Sequence, residues 1–361
     1  MGHSGAAMKR MVAMNEITVD LYSDTQTRPT PGMREAIAQA PVGDEQRDED
    51  PSVNRLCSMA CELLGKEAAV FMPSGTMCNE IAILVHCRPG NEIISDRTAH
   101  IISSEGGGPA VFAGVLVHPL EGARGVYGAE QVEAAIREES RHTPRTTLIS
   151  VEQTSNQGGG TVWPLAAIES VADVAGRYGI PMHMDGARLM NAVVASGVPA
   201  RDFAKSFNSL WFDLSKGLGC PIGGVLAGSH EFIQQAWQWK QRMGGAMRQA
   251  GIVAAAGAYA LENHVERLVE DHANARLLAD RLATVPGVAV EPEAVETNIV
   301  FFDVKGTGLT AADVYQALLE RGVRIGRMGP FRMRAVTHLD VDKADVETAA
   351  DAVSTVVGSA G

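Results

Sequence analysis

The chain has 361 residues, with 43 acidic and 31 basic side chains and a formal net charge of −12 at pH 7. This length predicts about two domains at roughly 150 residues each. The acidic balance argues against nucleic acid and anionic membranes as partners, because both carry negative charge themselves. The five cysteines are odd in number and form no Cys-x-x-Cys pair, which argues against a disulfide framework and a zinc site.

The N-terminal segment and the apolar runs bear on the cellular location. No apolar run is long enough to span a bilayer. Met1 to Glu16 lacks the continuous apolar stretch of a signal peptide. We therefore expect a cytoplasmic protein without a membrane partner.

The sequence divides into three predicted parts. Residues 1–19 are small, polar and dotted with methionine, so we expect a flexible arm. Residues 20–264 alternate helical patterns with short apolar runs, which predicts a large α/β domain. The pattern then changes to short strands and helices, which predicts a small α+β domain over residues 265–361.

A predicted strand and the helix that follows it surround a candidate anion site. Glu67–Met72 is predicted as a buried strand and Asn79–His86 as a helix. The turn between them contains Ser74, Gly75 and Thr76. Unpaired N–H groups at a helix start, the helix dipole and two hydroxyls together favour a phosphate, although an ordinary capped helix has the same pattern.

Other elements of the chain follow from the same periodicity rules. The predicted helices are Ser52–Leu64 with Ser52 as N-cap and Gly65 past its end, Pro164–Tyr178, Phe232–Lys240, and Ile252–Asp271 continuing to Leu282. The predicted strands are Glu92–Asp96, Val111–Val117, Thr147–Val151, Ile180–Met184 and Leu210–Leu214, with shorter strands and helices within Val288–Val304 and Val323–Val336.

Two of these strands end at charged residues that suit one cofactor. Ile180–Met184 stops at Asp185 and Leu210–Leu214 stops just before Lys216, 31 residues further on, which leaves room for one helical crossover. Parallel strands joined in this way carry ligands at their carboxyl ends. A lysine and an acid converging there suit pyridoxal phosphate (PLP), which needs a lysine for its Schiff base and an acid to keep its pyridine nitrogen protonated.

Each of these residues also has an ordinary explanation. The lysine could be a solvated loop charge, and the acid could be a helix N-cap. A metal site on His183 and Asp185 is a further alternative, since positions two apart on a strand share a face, but no third ligand is evident. His100, just beyond Glu92–Asp96, could be a core or surface imidazole, or could stack on a flat heterocycle.

With these residues in place, the chain resembles the PLP-dependent L-threonine aldolase family, which has the aspartate-aminotransferase-like fold (fold type I). The resemblance covers Asp20 to about residue 350. It is carried by Tyr22-Ser-Asp-Thr-x-Thr-Arg-Pro-Thr, Ala40-Pro-Val-Gly-Asp, Pro73-Ser-Gly-Thr, Ala99-His, Met184-Asp-Gly-Ala-Arg, Leu214-Ser-Lys-Gly-Leu-Gly, Gly244-Gly-x-Met-Arg-Gln and Val336-Thr-His-Leu-Asp.

The resemblance implies a role for each matching position. Lys216 would carry the cofactor, Asp185 would pair with its pyridine nitrogen, and His100 would stack on its ring. The phosphate would be held by Ser74, Gly75 and Thr76 and by Arg248 of the neighbouring subunit. Arg188 would also contact the cofactor. The carboxylate of an amino-acid substrate would be gripped by Ser23, Arg188 and Arg334, because arginine binds a carboxylate through two parallel hydrogen bonds.

The activity implied is cleavage of threonine or a related β-hydroxy-α-amino acid to glycine and an aldehyde. The alternatives are a PLP-dependent β-eliminating lyase or aminotransferase on the same fold, or a catalytically silent ligand-binding scaffold, since fold alone does not separate them. A site shared between subunits implies a homo-oligomer, either a dimer or a homotetramer.

Three residues depart from the pattern of the family. Ser155, an expected substrate contact, stands where bacterial-type members carry a histidine that has been linked to the β-hydroxyl. Serine is a poor base, so water, His100 or another group would have to serve. Arg47 replaces a common aromatic residue and Asp48 a glycine, so Arg47 either favours a substrate with a distal acid or is a solvated loop charge.

Overall fold

The structure is a computed structural model that describes residues 16–358, and it contains two β-sheets. The predicted arm lies mostly outside the described residues. The strands are β1 (Val19–Leu21), β2 (Ala68–Met72), β3 (Glu92–Asp96), β4 (Leu116–Leu120), β5 (Thr146–Glu152), β6 (Met182–Gly186), β7 (Ser209–Asp213), β8 (Gly224–Gly228), β9 (Ile299–Asp303), β10 (Val323–Arg327) and β11 (Arg332–Val336).

The helices alternate with the strands along most of the chain, as expected for an α/β fold. The α-helices of the described range are α1 (Pro31–Ala38), α2 (Pro51–Leu64), α3 (Gly75–His86), α4 (His100–Ser103), α5 (Ala129–Ala135), α6 (Leu165–Tyr178), α7 (Leu189–Ser196), α8 (Ala200–Ala204), α9 (His230–Arg242), α10 (Gly251–Asn263), α11 (Leu268–Ala283), α12 (Ala311–Leu319) and α13 (Lys343–Gly358).

The larger sheet has seven strands in the order β2-β8-β7-β6-β5-β3-β4. Strand β8 is antiparallel to both of its neighbours, and the other neighbouring pairs are parallel. Both faces are covered, since the adjacent residues Trp211 and Phe212 of β7 belong to different apolar clusters. The predicted fold class, a mostly parallel sheet flanked by helices, is confirmed.

The smaller sheet has four strands in the order β1-β10-β11-β9. Strand β1 comes from the N-terminal part of the chain and pairs in parallel with β10, so Val19–Leu21 belongs to this sheet rather than to the larger one. Val19 and Leu21 are buried in the same apolar cluster as residues of α11, α12 and α13. The domain limits drawn from the sequence stay a prediction.

Several predicted elements differ from the structure in ways that have a local cause. The N-cap of α2 is Asp50 and not Ser52, because Oδ1 of Asp50 accepts hydrogen bonds from the N–H groups of Ser52 and Val53. Gly65 ends α2 in the left-handed conformation, as expected. Helix α3 begins four residues before the predicted Asn79, at Gly75.

Two further predictions of secondary structure are wrong. The expected strand Val111–Val117 is a π-helical turn over Pro109–Ala113 that stops at Gly114, whose φ is +63°, and strand β4 begins only at Leu116. The continuous helix expected over residues 252–282 is broken between α10 and α11. None of the helices within residues 16–358 is long and apolar enough to cross a membrane.

Candidate active site

A cavity of about 370 Å³ opens at the carboxyl ends of β5, β6 and β7. It is the place where an open parallel sheet binds ligands. All predicted site residues except Arg248 and Ser155 line it, and the fold thus brings together Ser23, Ser74, Gly75, Thr76, His100, Asp185, Arg188, Lys216 and Arg334.

Lys216 lies at the floor of this cavity, three residues beyond the end of β7. Its Nζ is 2.8 Å from Oδ2 of Asp213, and its side chain is 17% exposed. The other oxygen of Asp213 accepts hydrogen bonds from the backbone N–H and the hydroxyl of Ser215, both at 2.8 Å. The amine is therefore held by a fixed carboxylate but remains accessible from the cavity.

Asp185, on the neighbouring strand β6, is buried and held by two donors. Its Oδ2 accepts from Nδ2 of Asn79 at 2.8 Å, and its Oδ1 accepts from the backbone N–H of Ala187 at 3.0 Å. Burial raises the pKa of Asp185, while the charge of Lys216 opposes that rise. A cationic or protonated ring nitrogen beside this carboxylate would offset its burial.

Asn79 is a residue that sequence reasoning did not single out. Its Oδ1 accepts from the indole Nε1–H of Trp211 at 2.7 Å. Because an indole N–H can only donate, the orientation of the amide is fixed, and Nδ2 donates to both Asp185 and Glu105. Asn79 sits one helical turn after the start of α3, but its partner Asp185 is 106 residues away, so no local pattern marks it.

His100 opens α4 at the side of the cavity. Its Nδ1 is 2.7 Å from Oε1 of Glu105, and its backbone N–H donates to Oε2 of Glu152 at 2.7 Å. The hydrogen bond with Glu105 raises the pKa of His100 above its ordinary value. Glu152 is buried beside Asp185, and burial followed by the charge of Asp185 raises its pKa to about 7.

The start of α3 forms a cup of backbone donors on another wall of the cavity. Oγ of Ser74 accepts from Met77, and the first intrahelical bond runs from Cys78 to Ser74, so Gly75 and Thr76 precede the first helical hydrogen bond. A Cβ at position 75 would lie 2.1 Å from the ring of Trp211, so this turn requires glycine. Such a helix start binds anions.

One buried and one half-buried guanidinium group, those of Arg188 and Arg334, stand on the remaining side. Arg188 donates from Nε and Nη2 to the two oxygens of Asp24, both at 2.7 Å. Its Nη1 points to Oδ1 of Asn156 at 3.5 Å, and Nη1 of Arg334 donates to the same oxygen at 3.1 Å. Burial, followed by the charge of Arg188, lowers the pKa of Arg334. This concentration of positive charge favours an anionic ligand.

Two polar atoms in the wall of the cavity have no hydrogen-bond partner among the described residues. They are Nε of Arg334 and Oγ1 of Thr154, and both are buried. A buried donor without a partner costs free energy, on the order of 1 to 3 kcal/mol for a neutral group. Both atoms belong to residues that line the cavity.

Ser155 and Arg248 lie outside the lining of the cavity. Ser155 is 2% exposed and its Oγ accepts from the N–H of Gly158, so this hydroxyl stabilises the Gly-rich turn. Its expected contact with the substrate stays a prediction. The side chain of Arg248 is 63% exposed and donates to Asp44 at 2.8 Å. Its position is open to a neighbouring subunit.

The two other departures also lie away from the cavity. The side chain of Arg47 is 72% exposed and its Nε is 3.9 Å from Asp44, as a solvated loop charge would be. Asp48 has a φ of 57°, a conformation that glycine adopts without strain. Neither residue lines the cavity of its own chain.

His183 does not form a metal site with Asp185. Its Nδ1 is 2.8 Å from Oγ of Ser209 and its Nε2 is 3.2 Å from Oδ1 of Asn79, so both ring nitrogens are used in the core. Burial lowers the pKa of His183 to about 3. The imidazole is therefore neutral, and its Nε2–H donates to Asn79 because that amide oxygen can only accept.

Comparison with known proteins agrees with this geometry. The family described as beta-eliminating lyase matches residues 20–305. The chain is 41% identical to low-specificity L-threonine aldolase 1 of Arabidopsis thaliana, over 91% of this chain and 93% of the relative. It is 40% identical to the low specificity L-threonine aldolase of Escherichia coli K12, over 90% and 95%. The chain belongs to the threonine aldolase family.

Solved structures agree on the fold. The Leishmania major threonine aldolase superimposes with a TM-score of 0.81 over 94% of this chain and 99% of the other, at 18% identity. Serine palmitoyltransferase of Sphingomonas wittichii gives 0.77 over 96% and 92%, at 16% identity. At such identities the likeness establishes a shared fold alone, which is the predicted fold type I.

Proposed function

We propose that this threonine aldolase family member is a PLP-dependent lyase that cleaves L-threonine, L-allo-threonine or a related β-hydroxy-α-amino acid to glycine and an aldehyde. One observation carries the proposal. Lys216 and Asp185, at the carboxyl ends of adjacent parallel strands, open into the same cavity as the start of α3 and the guanidinium groups of Arg188 and Arg334.

The donor set of the cavity fits the three ends of PLP. The amine of Lys216 suits the aldehyde, the carboxylate of Asp185 suits a protonated ring nitrogen, and the N–H groups of Gly75 and Thr76 suit the phosphate. His100 would flank the ring. PLP bound there supplies an electron sink for the electron pair of the bond that breaks.

The two arginines would bind and orient the substrate. With Nε and Nη2 held by Asp24, Arg188 has one N–H of Nη1 beyond its long contact with Asn156 left for a substrate carboxylate. Arg334 adds a second guanidinium to the same cavity. Holding the carboxylate fixes the rotation of the substrate about its Cα. The two arginines would thereby hold the Cα–Cβ bond in one orientation for cleavage.

We propose that His100 is the base that accepts the proton of the β-hydroxyl. In the neutral imidazole, Nδ1–H donates to Glu105, so Nε2 is the acceptor. Ser155 is not among the residues that line the cavity, and its hydroxyl accepts from Gly158, which disfavours this role for it. General base help of this kind is typically worth about 10² to 10⁴ in rate.

We further propose that the protein is a homo-oligomer, a dimer or a homotetramer, in which Arg248 reaches the phosphate bound in the neighbouring subunit. The proposal is supported by the position of Arg248, which is exposed, held by Asp44 and outside the cavity of its own chain. The cytoplasmic location stays a prediction.

The test of the function is a product assay on purified protein supplied with PLP. With L-threonine we expect glycine and acetaldehyde in equal amounts, abolished in Lys216→Ala and unchanged in Lys205→Ala, an exposed lysine that serves as the matched control. A 2-oxo acid in place of the aldehyde would instead identify a β-eliminating lyase or an aminotransferase. No aldehyde from L-threonine, L-allo-threonine or a panel of other β-hydroxy-α-amino acids would overturn the proposal.

A further inference from the structure

Behind the cavity, two buried carboxyl groups, Glu80 and Glu105, are close enough to interact. Glu80 of α3 is 1% exposed, and the side chain of Glu105 is 0% exposed. Both oxygens of Glu80 and Oε2 of Glu105 have no hydrogen-bond partner among the described residues. The proposed chemistry uses neither group directly.

The other oxygen of Glu105 is fully used by the active site. Oε1 accepts from Nδ1 of His100 and from Nδ2 of Asn79, both at 2.7 Å. Since the amide of Asn79 is fixed by the indole of Trp211, this oxygen must act as an acceptor. Glu105 therefore serves the active site through an oxygen that carries no proton.

A second ionised carboxylate beside Glu105 would be costly. Buried charges without donors lose their hydration, and two like charges in contact repel each other, so such pairs retain a proton. Gly108 also closes over Glu80, since a Cβ there would lie 1.8 Å from Oε1 of that residue. One proton between the two groups removes the repulsion between like charges and gives the remaining charge a donor.

We propose that Glu80 is a positioning residue that keeps its proton and donates it in a hydrogen bond to Oε2 of Glu105. Glu105 then carries a single, fully bonded negative charge and orients His100 and Asn79. Through Asn79 the same bond also positions Asp185. The link to catalysis rests on the proposed function, whereas the location of the proton does not.

The surroundings of the pair predict the pH at which Glu80 loses this proton. Burial, then the hydrogen bond and charge of Glu105, raise the pKa of Glu80 to about 8. Side-chain atoms of His100, Asp185 and Glu105 lie within 4.8 Å of one another. Lys240 of α9 and Asp213 of β7 act on the thiol of Cys78. Above about pH 8 a second charge appears behind His100.

The direct test is an infrared pH titration of the protein without cofactor. The wild-type spectrum minus that of Glu80→Gln should contain the carbonyl stretch of a protonated buried carboxyl at pH 6, and this band should vanish around pH 8. Glu139→Gln, at an exposed glutamate, is the control and should leave the band in place. Glu152, whose pKa is also raised, contributes to both spectra and cancels in the difference. If the difference spectrum at pH 6 contains no such band, the proposal is wrong.

A second measurement separates positioning from simple packing. Glutamine keeps a donor for Glu105, so Glu80→Gln should retain kcat near pH 7 within about threefold but lose the change in pH profile near pH 8. Leucine has no donor, so Glu80→Leu should lower kcat by about tenfold or more, as expected for a lost hydrogen bond to a charged group. Equal activity of the two variants, or equal loss in both, would contradict a donor role.

The two measurements also distinguish this inference from the proposed function. An infrared band that behaves as expected, in a protein that releases no aldehyde from L-threonine, would retain the shared proton and reject the aldolase activity. Aldehyde release by a protein without the band would retain the aldolase activity and reject the shared proton.

Discussion

The ion pair between Asp24 and Arg188 offers the sharpest test of how this site is held together. Both side chains are buried, Arg188 to 5% exposure and Asp24 completely, and two hydrogen bonds of 2.7 Å join them. Burial alone would raise the pKa of Asp24, but the adjacent guanidinium of Arg188 outweighs burial and holds that pKa well below its usual range. Asp24 is thus ionised at any pH of interest.

Replacing Asp24 by alanine leaves a buried guanidinium without its counter-charge. The expected loss of unfolding free energy is about 3 to 5 kcal/mol, the range for breaking one partner of a buried pair. Asp20→Ala is the matched control, because Asp20 pairs with Arg324 where both side chains are about a quarter exposed. That variant should lose about 1 kcal/mol or less.

The assay is urea unfolding at pH 7 followed by tryptophan fluorescence, with the three proteins measured without cofactor. Asp24→Asn keeps the shape of the side chain and provides a second variant if Asp24→Ala does not fold. The free energy of unfolding should also depend on pH in the acid range. Because the pKa of Asp24 is lower in the folded than in the unfolded protein, Asp24 stabilises the fold above its unfolded pKa, near 3.8, and this contribution is lost as the pH falls further. Equal losses in Asp24→Ala and Asp20→Ala would refute the reasoning.

Three other changes have defined outcomes. Gly75→Ala should lower the free energy of unfolding by about 1 to 3 kcal/mol, because the added methyl group overpacks against Trp211, and it should also weaken PLP binding. Gly176→Ala is the control and should have neither effect, because the space around Gly176 is open. Arg334→Lys should raise KM for L-threonine about tenfold with an unchanged cofactor spectrum, because lysine lacks the guanidinium fork. His183 is neutral in the fold and charged when unfolded below about pH 6.5, so wild-type stability should fall from pH 7 to pH 5, and less so in His183→Gln.

Much of the fold could be predicted from local patterns in the sequence. Strand Glu92–Asp96 was predicted with its observed limits, because a fully buried parallel strand is a short apolar run bounded by polar residues. The strand expected over Val111–Val117 failed for a physical reason. Pro109 and Gly114 bracket a π-helical turn there, and apolar composition alone does not distinguish such a turn from a strand.

The site was predictable where its residues sit at the ends of strands or at the start of a helix. Asp185, Lys216 and the start of α3 follow from that rule. Asp24 and Asn79 were missed, because their partners lie 164 and 106 residues away and only the folded sheet brings them together. The same holds for Glu80, whose sequence context is that of an ordinary helix residue.

The most direct test of the central claim is the visible spectrum of wild-type protein and Lys216→Ala after incubation with PLP and removal of unbound cofactor. We expect a lysine-bound cofactor band in the wild type, a shift of that band when glycine is added, and loss of the band in Lys216→Ala. Reduction with borohydride should then fix the cofactor on the peptide that contains Lys216. The account would be contradicted by a wild-type protein that stays colourless with PLP. It would also be contradicted if Lys216→Ala and the wild type gave the same spectrum.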